Sequence, residues 1–346
     1  MSMRQFLPIA NARPFALAAV PQLPPAEFRE AVRALVDAEA RLAALHCWDF
    51  PEGRRLLAVV ADGAMQHLLA TSAPVGESYP SLTPAIPSAH LFEREIFEEQ
   101  GVRPEGHPWL KPLRGPVPGR APGDIDFLRV EGASLHEVGV GPVHAGVIEP
   151  GHFRFSCDGE KVIHLEIALG YQHRGWSRRF LAAPPAVREK LVEVIAGDTT
   201  IAHALCHARA LEAAHRARVS PAADFWRCVA LELERLANHV GDLGALSGDA
   251  GFLPSASFCG RLRGDILNAT AVLCGNRFGR GLVVPGGLGR MPGDDAAAEL
   301  ARRLQKSERE CAGAVELLLD APSVLARFED VGTVTAAQAR DLGLVG

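Results

Sequence analysis

AADFWRCVALELERLANHVGDLGAL, residues 222–246, repeats apolar residues at helical spacing for about seven turns. Trp226, Val229, Leu233, Leu236, Val240 and Leu243 recur every three or four residues, so this stretch is a helix whose stripe must pack against other helices. Polar residues follow the same period: Glu234, Asn238 and Asp242 stand at i, i+4 and i+8, with Arg235 and His239 an i, i+4 pair beside them. They read either as a solvated face with intrahelical pairs worth roughly 0.2–0.5 kcal/mol each, or as the wall of a polar cleft.

Outward from this helix, the same periodicity predicts helices over 186–218, 255–278 and 293–320, so the C-terminal part is a bundle of long helices. Before them, DFLRVE (126–131) and KVIHLEIAL (161–169) read as strands flanking a Gly-rich turn. Residues 111–125, KPLRGPVPGRAPGDI, hold four prolines and three glycines, the composition of a connector. Further upstream, Phe28, Val32, Leu35, Val36, Leu42 and Leu45 predict an amphipathic helix over 26–46. RRLLAVVADGAMQHLLATSA (54–73) places two apolar runs around Asp62-Gly63, a hairpin signal. A short helix is expected from Ala89 to Glu99 between two Pro/Gly-rich loops. The expected fold class is therefore α+β: a small N-terminal α+β docking domain over 1–115, a connector over 116–135, and a mainly helical domain over 136–346 that starts with a few strands.

Composition narrows the function. A chain of 346 residues is long enough for two domains, and 48% apolar with 22% charged residues is the make-up of a folded protein. A net charge of −5 supplies no basic field for nucleic acid. Prolines at 8, 14, 21, 24 and 25 interrupt the N-terminal apolar run, so no secretion signal is expected. No apolar run reaches the roughly 18 residues a membrane-spanning helix needs. The seven cysteines, at 47, 157, 206, 228, 259, 274 and 311, are scattered and never form a Cys-x-x-Cys pair, which suits the free thiols of a cytosolic chain.

Two more segments concentrate ionisable groups. GPVHAGVIEPGHFRF (141–155) carries His144, Glu149, His152 and Arg154 on Gly/Pro-rich, irregular backbone, and such loops either line clefts or simply lie on the surface. GYQHRGWSRRF (170–180) sets Tyr171, His173 and Arg174 after an apolar strand bearing Glu166, which reads equally as a site or as a solvated turn.

Taken together, the segments resemble one superfamily. GPVHAGVIEPGHFRFSCDGE (141–160) followed by LEIALGYQHRGWSRR (165–179) is similar to the N-terminal signature of membrane-bound nickel-iron hydrogenase large subunits and their complex I counterparts. ELERLANHVGDLGALSGDAGF (232–252) and GNRFGRGLVVPGGLGR (275–290) resemble the next two blocks. YPSLTPAIPSAHLFEREIFEEQGVRPEGHPWLKPLRGP (79–116) resembles the small hydrophilic complex I subunit, so the chain looks like the fusion of both found in formate hydrogenlyase-type hydrogenases.

The resemblance implies roles residue by residue. Ile148-Glu149-Pro150-Gly151-His152 is similar, with one proline added, to the Ile-Glu-Gly-His motif whose glutamate passes protons at the metal site. Glu149 is then the leading proton carrier, in a dry cleft that would raise its pKa, with His152 and His144 as relay neighbours and Arg154 beside them. The family's Arg-x-Cys-Gly-x-Cys motif falls on Val194–His203, where Ala196 and Thr199 stand at the cysteine positions and can give nickel no thiolate. No metal is expected. Asp198 has two readings, a cap for a helix beginning at Thr199 or a buried proton-loading group on the apolar stripe between Leu191 and Leu205. His203 and His207, with Cys206 between them, offer i, i+4 ligands but no third local partner. Complex I relatives use this cavity for a quinone headgroup, reached by a tyrosine whose place here falls at Gly197 or a close neighbour, so a quinone is allowed and unsupported.

The expected function is a nickel-free large subunit of a complex I-like or hydrogenase-like oxidoreductase, peripheral on the cytoplasmic face of the cell membrane. It would pack on an iron–sulfur small subunit, beside antiporter-like membrane subunits, and couple electron arrival to protonation. Lacking a Cys₄ set, this chain would bind no cluster itself. His173, Arg174, Thr199, Glu234, Arg235, His239 and Asp242 would line the cleft with the proton carriers. Because DVGTVTAAQARDLGLVG (330–346) resembles a segment that leads into further helices and a second cysteine pair, the chain reads as C-terminally truncated or split. The rival readings are a catalytic hydrogenase or quinone reductase subunit completed by another segment, and a non-catalytic assembly scaffold.

Overall fold

The structure is a computed structural model that describes residues 5–63, 67–114, 126–144 and 149–344. The hairpin tip after Gly63, most of the Pro/Gly connector and Ile148 of the Ile-Glu-Pro-Gly-His motif lie outside the described residues. The chain divides into two compact units, Met1–Arg174 with Val334–Gly346, and Gly175–Thr333. Both helices and small sheets are present, an α+β fold.

The first unit opens with β1 (Leu7–Ile9), α1 (Pro25–Asp37), β2 (Arg41–Phe50), β3 (Gly53–Asp62) and β4 (His67–Pro74). The strands form an antiparallel sheet in the order β1-β4-β3-β2, and Asp62 pairs with His67 across the expected hairpin. Helix α1 buries Phe28, Ala31, Val32 and Leu35 in one core with Leu42, Leu45, Leu56 and Val60 of the sheet. The helix expected over 26–46 therefore stops early. Glu39 turns the chain at φ 69°, and a bulge in β2 between Leu42 and Ala44 brings Leu42 and Leu45 to the same face. That gap of three residues imitates helical spacing in the sequence.

Next come β5 (Ser78–Pro80), α2 (His90–Gln100) and β6 (Arg103–Glu105), with β5 and β6 paired in parallel. Helix α2 matches the expected one to within a residue, and it ends at Gly101, whose φ of 70° is the left-handed conformation glycine adopts freely. β7 (Leu135–Val140), β8 (His152–Asp158) and β9 (Lys161–Ala168) make a three-stranded antiparallel sheet. Two corrections arise here. His152 and Arg154 sit on the central strand β8 rather than on irregular backbone. Asp126–Val130 joins no ladder, because the Leu128 N–H is taken by the Glu166 side chain at 2.6 Å instead of by a strand.

The second unit holds α3 (Trp176–Ala182), α4 (Pro185–Val192), α5 (Thr200–His215), α6 (Pro221–Asp249), α7 (Leu253–Cys274), a two-stranded ribbon of β10 (Val283–Val284) and β11 (Gly287–Leu288), α8 (Ala296–Leu319) and α9 (Pro322–Phe328). The single helix expected over 186–218 is broken by a turn over residues 193–199. Helix α6 packs along α7, α7 along α8, and α5 against α6 and β10. No helix among the described residues is long and apolar enough to cross a membrane. α10 (Ala336–Leu342) belongs to the first unit, where Arg340 pairs with Glu39 at 3.1 Å.

The stripe that α6 buries is not the one its large apolar residues mark. Ala223, Arg227, Ala230, Leu233, Glu234, Ala237 and Val240 are buried, while Leu236 is exposed and Trp226, Val229 and Leu243 flank the core. Small residues win the inner face because they let α7 approach closely. At Gly244 an added Cβ would lie 3.1 Å from the Cys259 Cβ and 3.5 Å from the Ala256 carbonyl oxygen. Gly244→Leu is accordingly expected to destabilise the helical unit by about 1–3 kcal/mol through overpacking, read as a lowered urea midpoint with unchanged slope.

Candidate functional site

In the helical unit the site forms at the start of α5. The first N–H groups of a helix have no intrahelical acceptor. Thr199 is the N-cap residue, yet its side chain accepts none of them. Glu234 of α6 does so instead: its Oε2 accepts the Ile201 N–H at 2.6 Å and its Oε1 the Ala202 N–H at 3.0 Å. A carboxylate here also faces the positive end of the helix dipole. Glu234 is 9% exposed, and burial pushes its pKa above the ordinary carboxylate value. The two N–H bonds and His203 pull the other way without overcoming burial, and Asp198 adds to the rise. A carboxyl raised in the folded state contributes stability at low pH that is lost as pH rises through its folded pKa.

The turn ahead of α5 is fastened to its neighbours. The Asn238 side-chain amide donates to the Asp198 carbonyl oxygen at 3.0 Å, and the Arg263 guanidinium on α7 donates to Asp198 Oδ1 at 2.7 Å. Thr200 Oγ1 donates to the Glu193 carbonyl oxygen at 3.1 Å, and Glu193 Oε1 accepts the Gly281 N–H at 2.6 Å. Arg263 reaches Asp198 by lying across Gly241, where an added Cβ would stand 3.0 Å from the Arg263 Cδ. Glu234, Asp198, Asn238, Arg263, Thr270 and Arg277 line a cavity of about 10 Å³, room for one water.

Asp198 thus departs from both of its expected roles. Its side chain is 61% exposed, so it is not buried on an apolar stripe, and Glu234 caps α5 in its stead. Thr199 Oγ1 lies 3.1 Å from His203 Nδ1, which is also 2.7 Å from the Thr199 carbonyl oxygen. Arg235 pairs with Glu232 at 3.3 Å on the exposed face of α6, where His239 and Asp242 are exposed as well. Of Glu234, Arg235, Asn238, His239 and Asp242, Glu234 meets α5 and Asn238 the turn before it. The His207 ring meets the Phe180 ring edge-on at 5.5 Å, and Cys206 is exposed. Among the described residues no three His, Cys, Asp or Glu side chains gather where one metal ion could bind. The lining around the turn is carboxylate, amide, hydroxyl and guanidinium with no thiolate, a donor set that does not fit nickel held through cysteine.

The remaining candidates lie in the first unit. His152 Nδ1 is 3.1 Å from the Gly141 carbonyl oxygen, and its ring meets Phe127 edge-on at 5.5 Å. Arg154 pairs with Glu137 and holds its guanidinium 4.8 Å from the centre of the same Phe127 ring. His144 stands edge-on to Phe153 at 5.6 Å. Glu149, expected in a dry cleft, is exposed, as are His173 and Arg174. The buried acid of this unit's sheet is Glu166, which pairs with Lys111.

Sequence reading missed Arg263 and Arg277, and it missed the capping role of Glu234. No local signal marks them. Arg263 is 65 residues from Asp198, and Glu234 is 33 from Ile201.

Comparison with known proteins accounts for both parts of the chain. Residues 22–116 match the model of the respiratory-chain NADH dehydrogenase 30 Kd subunit, and residues 249–346 match that of the 49 Kd subunit. The chain is similar to the complex I and membrane-bound hydrogenase large-subunit superfamily. It carries a 30 Kd-type segment fused ahead of a 49 Kd-type one. It is 30% identical over 293 residues to formate hydrogenlyase subunit 5 of Escherichia coli (strain K12), covering 78% of this chain and 51% of that one. Hydrogenase-4 component G of the same organism is 28% identical over 288 residues, covering 76% and 52%. The chain spans about half the length of the curated relatives it matches. A solved chain of the membrane-bound sulfane sulfur reductase, an archaeal respiratory membrane complex, shares the fold over 57% of this chain and 53% of its own, with TM-score 0.53 and 19% identity.

Proposed function

We propose that this chain is the large-subunit component of a membrane-associated, complex I-like or hydrogenase-like oxidoreductase, one that takes electrons from an iron–sulfur partner subunit and couples their arrival to protonation without a nickel-iron centre. It binds no cofactor of its own, and a quinone is the small acceptor this reading allows. Its partners are the iron–sulfur subunit and antiporter-like membrane subunits, which hold it on the cytoplasmic face of the cell membrane. The named relatives include components of hydrogenases and of a respiratory membrane complex, which favours this setting.

One observation carries the reading. At the start of α5, where the family's cysteine motif falls, the buried reactive group is the Glu234 carboxyl, whose raised pKa brings it toward the range useful for proton transfer. Glu234 is therefore the candidate proton carrier of the helical unit, and Glu149, with His144, His152 and Arg154, is a separate candidate set in the first unit.

Redox-driven proton uptake by the intact complex tests this. Glu234→Gln should lower the rate by at least about tenfold, and Glu149→Gln by less, because an exposed carboxyl is more easily replaced by water. Rates unchanged in both variants would leave the scaffold reading. About one nickel per chain in the purified complex would reinstate a hydrogenase.

A further inference from the structure

We propose that the Asp198–Arg263 ion pair is a latch that sets the charge state of Glu234. The geometry is a closed set. Asp198, Arg263 and Glu234 line one cavity with room for a single water, and the ion pair at 2.7 Å lies at its exposed side. The pair ties the turn before α5 to helix α7, while the Asn238 amide on α6 holds the same turn through the Asp198 backbone carbonyl. Gly241 on α6 leaves the lane in which Arg263 runs.

The groups that face Glu234 are few. His203 comes from α5, Asp198 from the turn, Arg263 from α7, and Arg277 from the loop after α7. Arg277 makes no ion pair within 4.0 Å among the described residues, so its charge bears on the cavity whether the latch is open or shut. With the latch shut, the Arg263 guanidinium at 2.7 Å offsets most of the Asp198 charge, which is then the smallest influence on Glu234 after its own burial, the α5 amides and His203. With the latch open, Arg263 moves to solvent while Asp198 stays tethered through its backbone. Glu234 then has an uncompensated carboxylate as neighbour, and it takes a proton from bulk water onto an Oε atom, which removes the repulsion. A partner surface or an anion that competes for Arg263 would open the latch. Its functional weight rests on the proposed role of Glu234, but the electrostatics can be measured without it.

The test uses the full-length chain titrated by infrared difference spectroscopy. The protonated-carboxyl band that Glu234→Gln abolishes reports Glu234 alone. Arg263→Gln should raise its proton affinity by about tenfold and Asp198→Asn should lower it by about tenfold. The double variant should return it near the starting value, and Arg263→Lys should leave it close to wild type. Should Arg263→Gln unfold by circular dichroism, Asp198→Asn decides alone: a lowered affinity supports the latch and an unchanged one ends it. Unchanged titration in folded Arg263→Gln also ends it. Normal proton uptake by Glu234→Gln in the intact complex, with the titration shifts still present, would instead remove the functional reading and leave the latch standing.

Discussion

Arg227→Met should lower the stability of the helical unit by about 3–5 kcal/mol, because it strands a carboxylate inside the protein. Arg227 is fully buried, although the sequence sets it one residue beyond Trp226 on an apparently apolar helix. Its guanidinium donates to both Glu212 oxygens of α5, at 2.6 and 3.2 Å, and to the carbonyl oxygens of Val284 and Gly287 at 2.7 and 3.1 Å. Glu212 in turn accepts the Gly286 N–H at 2.7 Å. One side chain thereby fastens α6, α5 and the β10–β11 ribbon. Methionine fills much of the volume but supplies no donor, so Glu212 must pick up a proton or draw in water. Replacing Glu212 with Gln as well should recover part of the loss, since the cost lies mainly in the unpaired charge. Urea unfolding of the single and double variants measures both.

The same network gives a pH signature. Burial raises the Glu212 pKa, but the Arg227 guanidinium and the Gly286 N–H outweigh it, so the folded value lies below the ordinary one. A depressed carboxylate contributes stability that is present above the unfolded pKa, about 4.3, and lost as pH falls through the folded value. Glu234 has the opposite sign. The acid limb of unfolding should therefore flatten in the Glu212→Gln, Arg227→Met pair and persist in Glu234→Gln.

Glu93→Ala is expected to cost the first unit about 3–5 kcal/mol, from hydrogen bonds alone. Glu93 is fully buried on α2, and its carboxylate accepts from Ser81 Oγ at 2.6 Å, the Leu82 N–H at 2.8 Å, the Thr83 N–H at 3.1 Å and Thr83 Oγ1 at 2.5 Å. The loop Ser81–Thr83 is wrapped around this one acid. Alanine leaves those donors in a dry pocket, each orphan costing about 1–3 kcal/mol, partly offset where the hydroxyls turn to each other. Amide exchange around residues 81–83 should accelerate far more than exchange in α6, and equal protection in variant and wild type would refute the assignment.

The segment bearing Glu93 shows what was readable. YPSLTPAIPSAHLFEREIFEEQG announces a turn-rich loop and a helix, and its likeness to the small complex I subunit agrees with the match over residues 22–116. Long uninterrupted periodicities were equally plain: α6, α7 and α8 begin and end within four residues of their expected limits. Where the pattern was mimicked, reading failed. The bulge in β2 spaced Leu42 and Leu45 like a helix, and the turn at 193–199 broke a helix whose apolar residues continue on both sides. The candidate site was only half legible. Its place at the start of α5 followed from the family motif, but the choice of acid did not, because burial is a property of the folded neighbourhood.

Local spacing and turn chemistry were enough to decide the long helices and the α+β class, motif resemblance pointed to the family, and the sequence shows directly that residues 196 and 199 are not cysteine. Hydrogen bonds and ion pairs between residues dozens of positions apart decided the rest: that Arg227 is inside, that Asp198 faces solvent, and that Glu234 closes the open end of α5. Periodicity tells which side of a helix is apolar; only the packed neighbour tells which polar group it can satisfy, and that satisfaction sets where a charge can be buried.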